Sequence, residues 1–254
     1  MSDPTSTVVL VHGAFAESSS WNPVIERLVH HPRLVGVSGH GPCDVVAVAN
    51  PLRSLAGDAA YVRDVVGSIS GPVVLVGHSY GGMVITEAAA ELDSVTALVY
   101  VAAFAPETGE SAFQLSTMFE GSSLAEALTA YPVATGGNEF AITRDRFRHQ
   151  FAADVHQLEA ELMAATQRPV TEAALSDGLV SAEPAWKRLP SWFVYGEQDL
   201  NIPADLHRFV AERAGSKGTV EIPGASHAIS VSRPAEVAET IIGAVAATSP
   251  ASVA

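Results

Sequence analysis

The run Val73-Val74-Leu75-Val76-Gly77-His78-Ser79-Tyr80-Gly81-Gly82 joins four apolar residues to a serine set between glycines. A segment with helical spacing, Met83 to Leu92, follows at once. A serine at such a strand-to-helix turn takes a strained backbone conformation, so that its hydroxyl stands clear of the sheet. Side chains at positions 77 and 81 would collide with the neighbouring strand and helix, which is why small residues are needed there. The helix that begins after Ser79 aims its N-terminal dipole and free N–H groups at the hydroxyl. Ser79 is the candidate nucleophile, and a hydroxyl of this kind needs a base beside it at neutral pH.

Working outward, short apolar runs recur at Val8–Val11, Val45–Ala49, Val95–Ala102, Trp192–Tyr195 and Thr219–Ile222. They are continuous rather than alternating, as suits strands covered on both faces. Helix-like segments lie between or after them: Pro23–His30, Leu52–Ser68, Ala204–Ala214 and Ala235–Ala246. Alternating strands and helices imply right-handed crossovers, hence an α/β fold with a mostly parallel six-stranded sheet flanked by helices. Between Pro106 and Leu189 no strand is evident, and Arg144–Thr166 and Thr171–Asp177 read as helices. Residues 1–106 and 189–254 are therefore expected to form the core and 107–188 a largely helical cap, all within one structural domain.

Composition excludes several classes of function. The 254 residues carry a formal charge of −14, with 28 acidic against 14 basic side chains. Such a chain is poorly suited to nucleic acid or an anionic membrane. Only Lys187 and Lys217 are lysines, and alanine is abundant, as in a bacterial coding sequence rich in G and C. The single cysteine, Cys43, rules out an internal disulfide and CxxC sites. With neither a basic leader nor an apolar stretch of about 18–20 residues, a cytoplasmic address is expected. No metal or cofactor is expected. The Gly-rich segment 36–42, which includes His40, lacks the spacing of a phosphate loop and is left without a role.

An oxyanion needs two preorganised N–H donors. Tyr80, directly after the nucleophile, offers one, and the turn His12-Gly13-Ala14 after the first strand offers the other at Ala14. Among nine histidines His227 stands out, because it follows the last strand in Pro223-Gly224-Ala225-Ser226-His227. His78 should point away from Ser79, His12 reads as a turn-stabilising group, and His30, His31, His149, His156 and His207 read as solvated or structural. Asp199, in the loop after the fifth strand, is the candidate acid, since catalytic groups gather at the carboxyl ends of strands. Glu197 and, less so, Glu107 are its rivals. Phe15, Phe104, Phe113, Met118, Phe119 and Trp186 are candidate pocket residues.

Taken together, Val9-Leu10-Val11-His12-Gly13-Ala14, Gly77-His78-Ser79-Tyr80-Gly81-Gly82, Asp199 and His227 resemble the α/β-hydrolase superfamily. Within it they are similar to the methylesterase and hydroxynitrile-lyase branch and to bacterial esterases. The resemblance implies a Ser-His-Asp triad without cofactor, acting on a small-molecule ester through an acyl-enzyme, and a homodimer is compatible with it. In the lyases of this branch a threonine commonly takes the place of Gly13 and a lysine that of Ala228, so ester hydrolysis is the expected chemistry. The same triad also serves lactone, carbon–carbon and peracid reactions, and slow-turnover ligand receptors.

Overall fold

The computed structural model describes residues 6–30 and 43–248. The Gly-rich segment 36–42 and the tail from residue 249 lie outside the described residues. In chain order the strands are β1 (Ser6–Val11), β2 (Cys43–Val48), β3 (Val73–His78), β4 (Val95–Val101), β5 (Leu128–Pro132), β6 (Asn138–Ile142), β7 (Val170–Thr171), β8 (Ser191–Gly196) and β9 (Gly218–Ile222). The helices before and within the cap are α1 (Asn22–His30), α2 (Leu55–Gly67), α3 (Gly81–Ala89), α4 (Ala112–Ser116), α5 (Leu124–Ala127), α6 (Arg144–Phe151), α7 (Gln157–Thr166) and α8 (Glu172–Ser176). Those after it are α9 (Ala204–Arg213), α10 (Ile229–Ser232) and α11 (Pro234–Thr248).

Six strands form one sheet in the order β2-β1-β3-β4-β8-β9, with every pairing parallel. Val9 lies opposite Val46 on one side and Leu75 on the other. Alternate residues of each central strand feed opposite cores. Val9, Val11, Val73 and Leu75 join a cluster with residues of α2, α3 and α9, such as Val62, Met83 and Leu206. Val8, Leu10, Val74 and Val76 join a second with Trp21, Leu28 and Ile241. Two buried faces explain why these strands are apolar without alternation.

The order reverses between β1 and β3: the chain leaves β1 towards one edge and β3 towards the other. A crevice opens at the carboxyl ends of strands at such a point. The turn after β1 and the elbow after β3 meet there.

The cap differs from the sequence expectation in two ways. It carries a three-stranded antiparallel sheet, β5-β6-β7, in addition to its helices. The β5–β6 hairpin turns through Gly136 and Gly137, both at positive φ. Most of its residues are exposed or half-buried, so no apolar run marks it. The long helix expected over 144–166 is two helices, broken between Phe151 and Gln157. Several bonds fix the cap to the core. Arg168 pairs with Glu17 at 2.9 Å. Arg53 pairs with Glu139 and donates to the Pro169 carbonyl. The buried Glu87 carboxylate of α3 accepts the Val180 and Ser181 N–H groups.

Candidate active site

Ser79 sits between β3 and α3 at φ 55°. That left-handed conformation is costly for a non-glycine residue and is retained where the surroundings over-determine it. The surroundings here are tight. A Cβ on Gly77 would lie 2.6 Å from the Gly81 carbonyl carbon, and one on Gly81 2.4 Å from the Val11 carbonyl oxygen. Side chains at these positions would push the helix away from the sheet. The turn after β1 is pressed against the elbow as well: a Cβ on Gly13 would be 2.6 Å from the Ser79 Cβ and 3.1 Å from the Tyr80 nitrogen. Among the described residues the Ala14 and Tyr80 N–H groups enter no backbone hydrogen bond. Asn50 Nδ2 donates to the His12 carbonyl at 2.9 Å, and His12 Nδ1–H to the Gly13 carbonyl at 2.9 Å, which stiffens this turn.

His227, in the loop between β9 and α10, has its side chain 1% exposed. Its Nδ1 is 2.6 Å from Asp199 Oδ2, and its Nε2 is buried with no hydrogen-bond partner among the described residues. Asp199 is fully enclosed. Its Oδ1 accepts the Asn201 and Ile202 N–H groups at 2.8 and 3.0 Å, and its Oδ2 accepts from His227 and, at 3.4 Å, from His207. Burial alone would raise its pKa. The charge His227 can carry, with the hydrogen bonds from His207 and His227, outweighs burial and holds the carboxyl well below the usual carboxylate range. The rival acids lie elsewhere: Glu197 accepts the Gly224 N–H, and Glu107 pairs with Lys187.

Ser79 and His227 both line a cavity of about 240 Å³. Ala14, Tyr80, Phe15 and Phe104 line its floor from the core, and Phe113, Phe119, Leu124 and Leu128 face it from the cap. No Lys or Arg is among the lining residues, and the acidic one is Glu120, exposed at the rim. Two pocket expectations are corrected. Met118, beside Phe119 on the turn after α4, is 45% exposed and does not line the cavity. Trp186 is buried, but its Nε1–H donates to the Pro106 carbonyl and Arg213 and Lys187 lie over its ring, so it serves the cap–core junction.

Other contributors carry no mark in the sequence. The carboxyl end of α6 braces both loops behind the cavity. Gln150 Nε2 donates to the Leu200 carbonyl and Asn201 Oδ1 in the acid loop. One turn on, Asp154 accepts the Ser226 N–H and hydroxyl, and Phe151 lies edge-on to the His227 ring at 4.9 Å. His78 points away from the cavity, as expected. Its Nε2–H donates to the His227 carbonyl at 3.2 Å, and burial, with His227 beside it, pulls its pKa down to about 3. Asp58, on α2, accepts the Tyr80 hydroxyl at 2.9 Å. Of the two readings of His207, solvated or structural, the first falls: it is buried against Asp199.

A model of the Alpha/beta hydrolase family matches residues 8–240. The chain belongs to the α/β-hydrolase family. This α/β-hydrolase is 25% identical to "Salicylic acid-binding protein 2" of Nicotiana tabacum, over 92% of this chain and 95% of that protein. It is 27% identical to a "Pimeloyl-[acyl-carrier protein] methyl ester esterase" of Xanthomonas campestris pv. campestris, over 94% and 95%. Among solved structures, polyneuridine aldehyde esterase superposes with a TM-score of 0.77 at 18% identity, covering 94% of this chain and 98% of that one. The suspected branch and the sheet architecture both agree with these relatives.

Proposed function

We propose that this α/β-hydrolase is a serine esterase that cleaves small, neutral carboxylic esters through an acyl-enzyme. The observation that carries the reading is the 2.6 Å contact of Asp199 with His227, a histidine that lines the same cavity as Ser79 and whose buried Nε2 has no partner among the described residues. In this reading the Asp199 carboxylate holds the imidazole in one tautomer and stabilises its cation. His227 Nε2 takes the Ser79 proton as the serine attacks the ester carbonyl. The Ala14 and Tyr80 N–H groups take the oxyanion. His227 then protonates the leaving alcohol, and water, activated by the same histidine, releases the acid.

The lining supports the substrate class. An acyl group among Phe15, Phe104 and Phe119 is removed from water, and an ionised group there would be desolvated with no cation to receive it. The names of the relatives, a methyl ester esterase among them, support the ester bond. A bacterial, cytoplasmic setting belongs to the same proposal, supported by a single cysteine that needs no oxidising compartment. So does a homodimer, supported by Leu158 and Leu162, exposed one turn apart on α7. Equilibrium sedimentation checks the dimer.

Hydrolysis of p-nitrophenyl esters from acetate to decanoate, by wild type and Ser79→Ala, tests the activity. The expected result is turnover that is greatest for short acyl chains and vanishes in the variant, with a fluorophosphonate labelling wild type alone. Labelling without turnover of any ester would move the activity to another bond. No labelling at all would remove Ser79 as nucleophile.

A further inference from the structure

His207 lies on α9, eight residues beyond Asp199, with its side chain 1% exposed. Its Nε2 is 3.4 Å from Asp199 Oδ2, the same oxygen that His227 Nδ1 meets at 2.6 Å. A carboxylate oxygen only accepts, so His207 Nε2 carries the proton and donates. The Tyr195 ring from β8 stacks on the imidazole at 4.7 Å and 15°, which fixes its plane. With two backbone N–H groups on Oδ1, the carboxylate has a donor on every side.

We infer that His207 is a positioning residue that sets the basicity of His227 by holding a second donor on Asp199 Oδ2. This rests on the Ser79-His227-Asp199 reading. The physical reason is a division of charge. A donor on Oδ2 draws off part of the negative charge that would otherwise stabilise the His227 cation. A neutral His207 performs this task and a charged one is not needed. Burial lowers its pKa, against the opposing pull of Asp199, which favours the neutral ring. The other titratable groups that face it are His227, Tyr195 and, beyond Tyr195, Glu221 of β9, which is paired with Arg208 of α9; His227 itself is also faced by His78 of β3, its ring 4.7 Å away.

The test is the pH dependence of kcat/KM for p-nitrophenyl acetate in wild type, His207→Leu, His207→Gln and His207→Asn. Leucine removes the donor at similar volume. Glutamine places an amide N–H near the position of Nε2, and asparagine places it too far back to reach Asp199. The acidic limb is expected to move to higher pH by roughly half to one unit in the leucine and asparagine variants, and to stay in place with glutamine. If the leucine variant does not fold, the glutamine–asparagine pair decides. A limb common to all the soluble variants would overturn the inference and leave His207 as packing alone. Fluorophosphonate labelling of wild type keeps the two levels apart. If wild type is labelled and the limbs coincide, only the role of His207 fails. If wild type is not labelled, the triad reading fails and takes this inference with it.

Discussion

Asp58 has no relative exposure, yet it is a carboxylate on a helix that packs beneath the elbow. Burial pushes its pKa up, against the lowering effect of the Arg53 N–H and the Tyr80 hydroxyl. It ties α2 to the residue directly after Ser79, to whose N–H the proposed mechanism gives the oxyanion. Asp58→Leu would leave both donors without a partner. It is expected to cost about 1–3 kcal/mol for each, read from urea unfolding, and to lower kcat as Tyr80 shifts. Asp58→Asn keeps one carbonyl acceptor and is expected to retain most of both. Asp199 behaves differently, because its two oxygens have separate duties. Asp199→Asn keeps an acceptor for the Asn201 and Ile202 N–H groups but presents the wrong partner to His227. The expected result is a fall in kcat of about 10³- to 10⁴-fold with stability largely kept. Asp199→Ala should lose both. At this scale the sequence marked Ser79, His227 and Asp199, because each stands beside a turn at the end of a strand. It did not mark Asp58 or His207. Their roles come from how α2 and α9 pack on the sheet, and neither has a spacing that records it.

At the scale of elements, legibility followed burial. The six core strands are apolar on both faces, so their runs stood out, whereas β5 and β6 show most of one hairpin to water and left only Gly136-Gly137 as a sign. The break between α6 and α7 was missed for a related reason. Phe147, Phe151 and Val155 are all buried at spacings of four, but Val155 belongs to the turn that sends Asp154 towards Ser226. Trp186 shows the limit of reading a pocket from aromatic residues: it is buried and polar-anchored, but at the cap–core junction. Trp186→Ala is expected to destabilise the fold by about 3–5 kcal/mol while leaving KM for p-nitrophenyl butyrate nearly unchanged. Phe104→Ala, on the cavity floor, should raise KM as well. Thermal unfolding and steady-state kinetics on the two variants separate these outcomes.

Across the whole molecule, three buried histidines share one tendency. Burial lowers the pKa of His12, His78 and His207 below the ordinary value of 6.5. The unfolded chain takes up these protons as pH falls through 6.5, while the native state refuses them. Stability from this source is therefore complete above pH 6.5 and is lost progressively towards pH 3, where His78 itself titrates. The slope is positive: His78 alone should approach one proton, about 1.4 kcal/mol per pH unit, and His12 and His207 add to it in the same direction. Urea midpoints measured between pH 4 and 8 check this, and a flat profile from 6.5 to 4 would contradict it. The sheet order has a consequence for biosynthesis. β8 sits between β4 and β9, and the whole cap lies in the chain between β4 and β8. As the polypeptide leaves the ribosome, the β4 edge is formed from residue 101 and its neighbour starts at residue 191. At about 5–20 residues per second, that edge waits roughly 5–20 s for its partner. During that interval an apolar strand is open to pairing with other nascent chains, and slower translation of the cap would lengthen the wait.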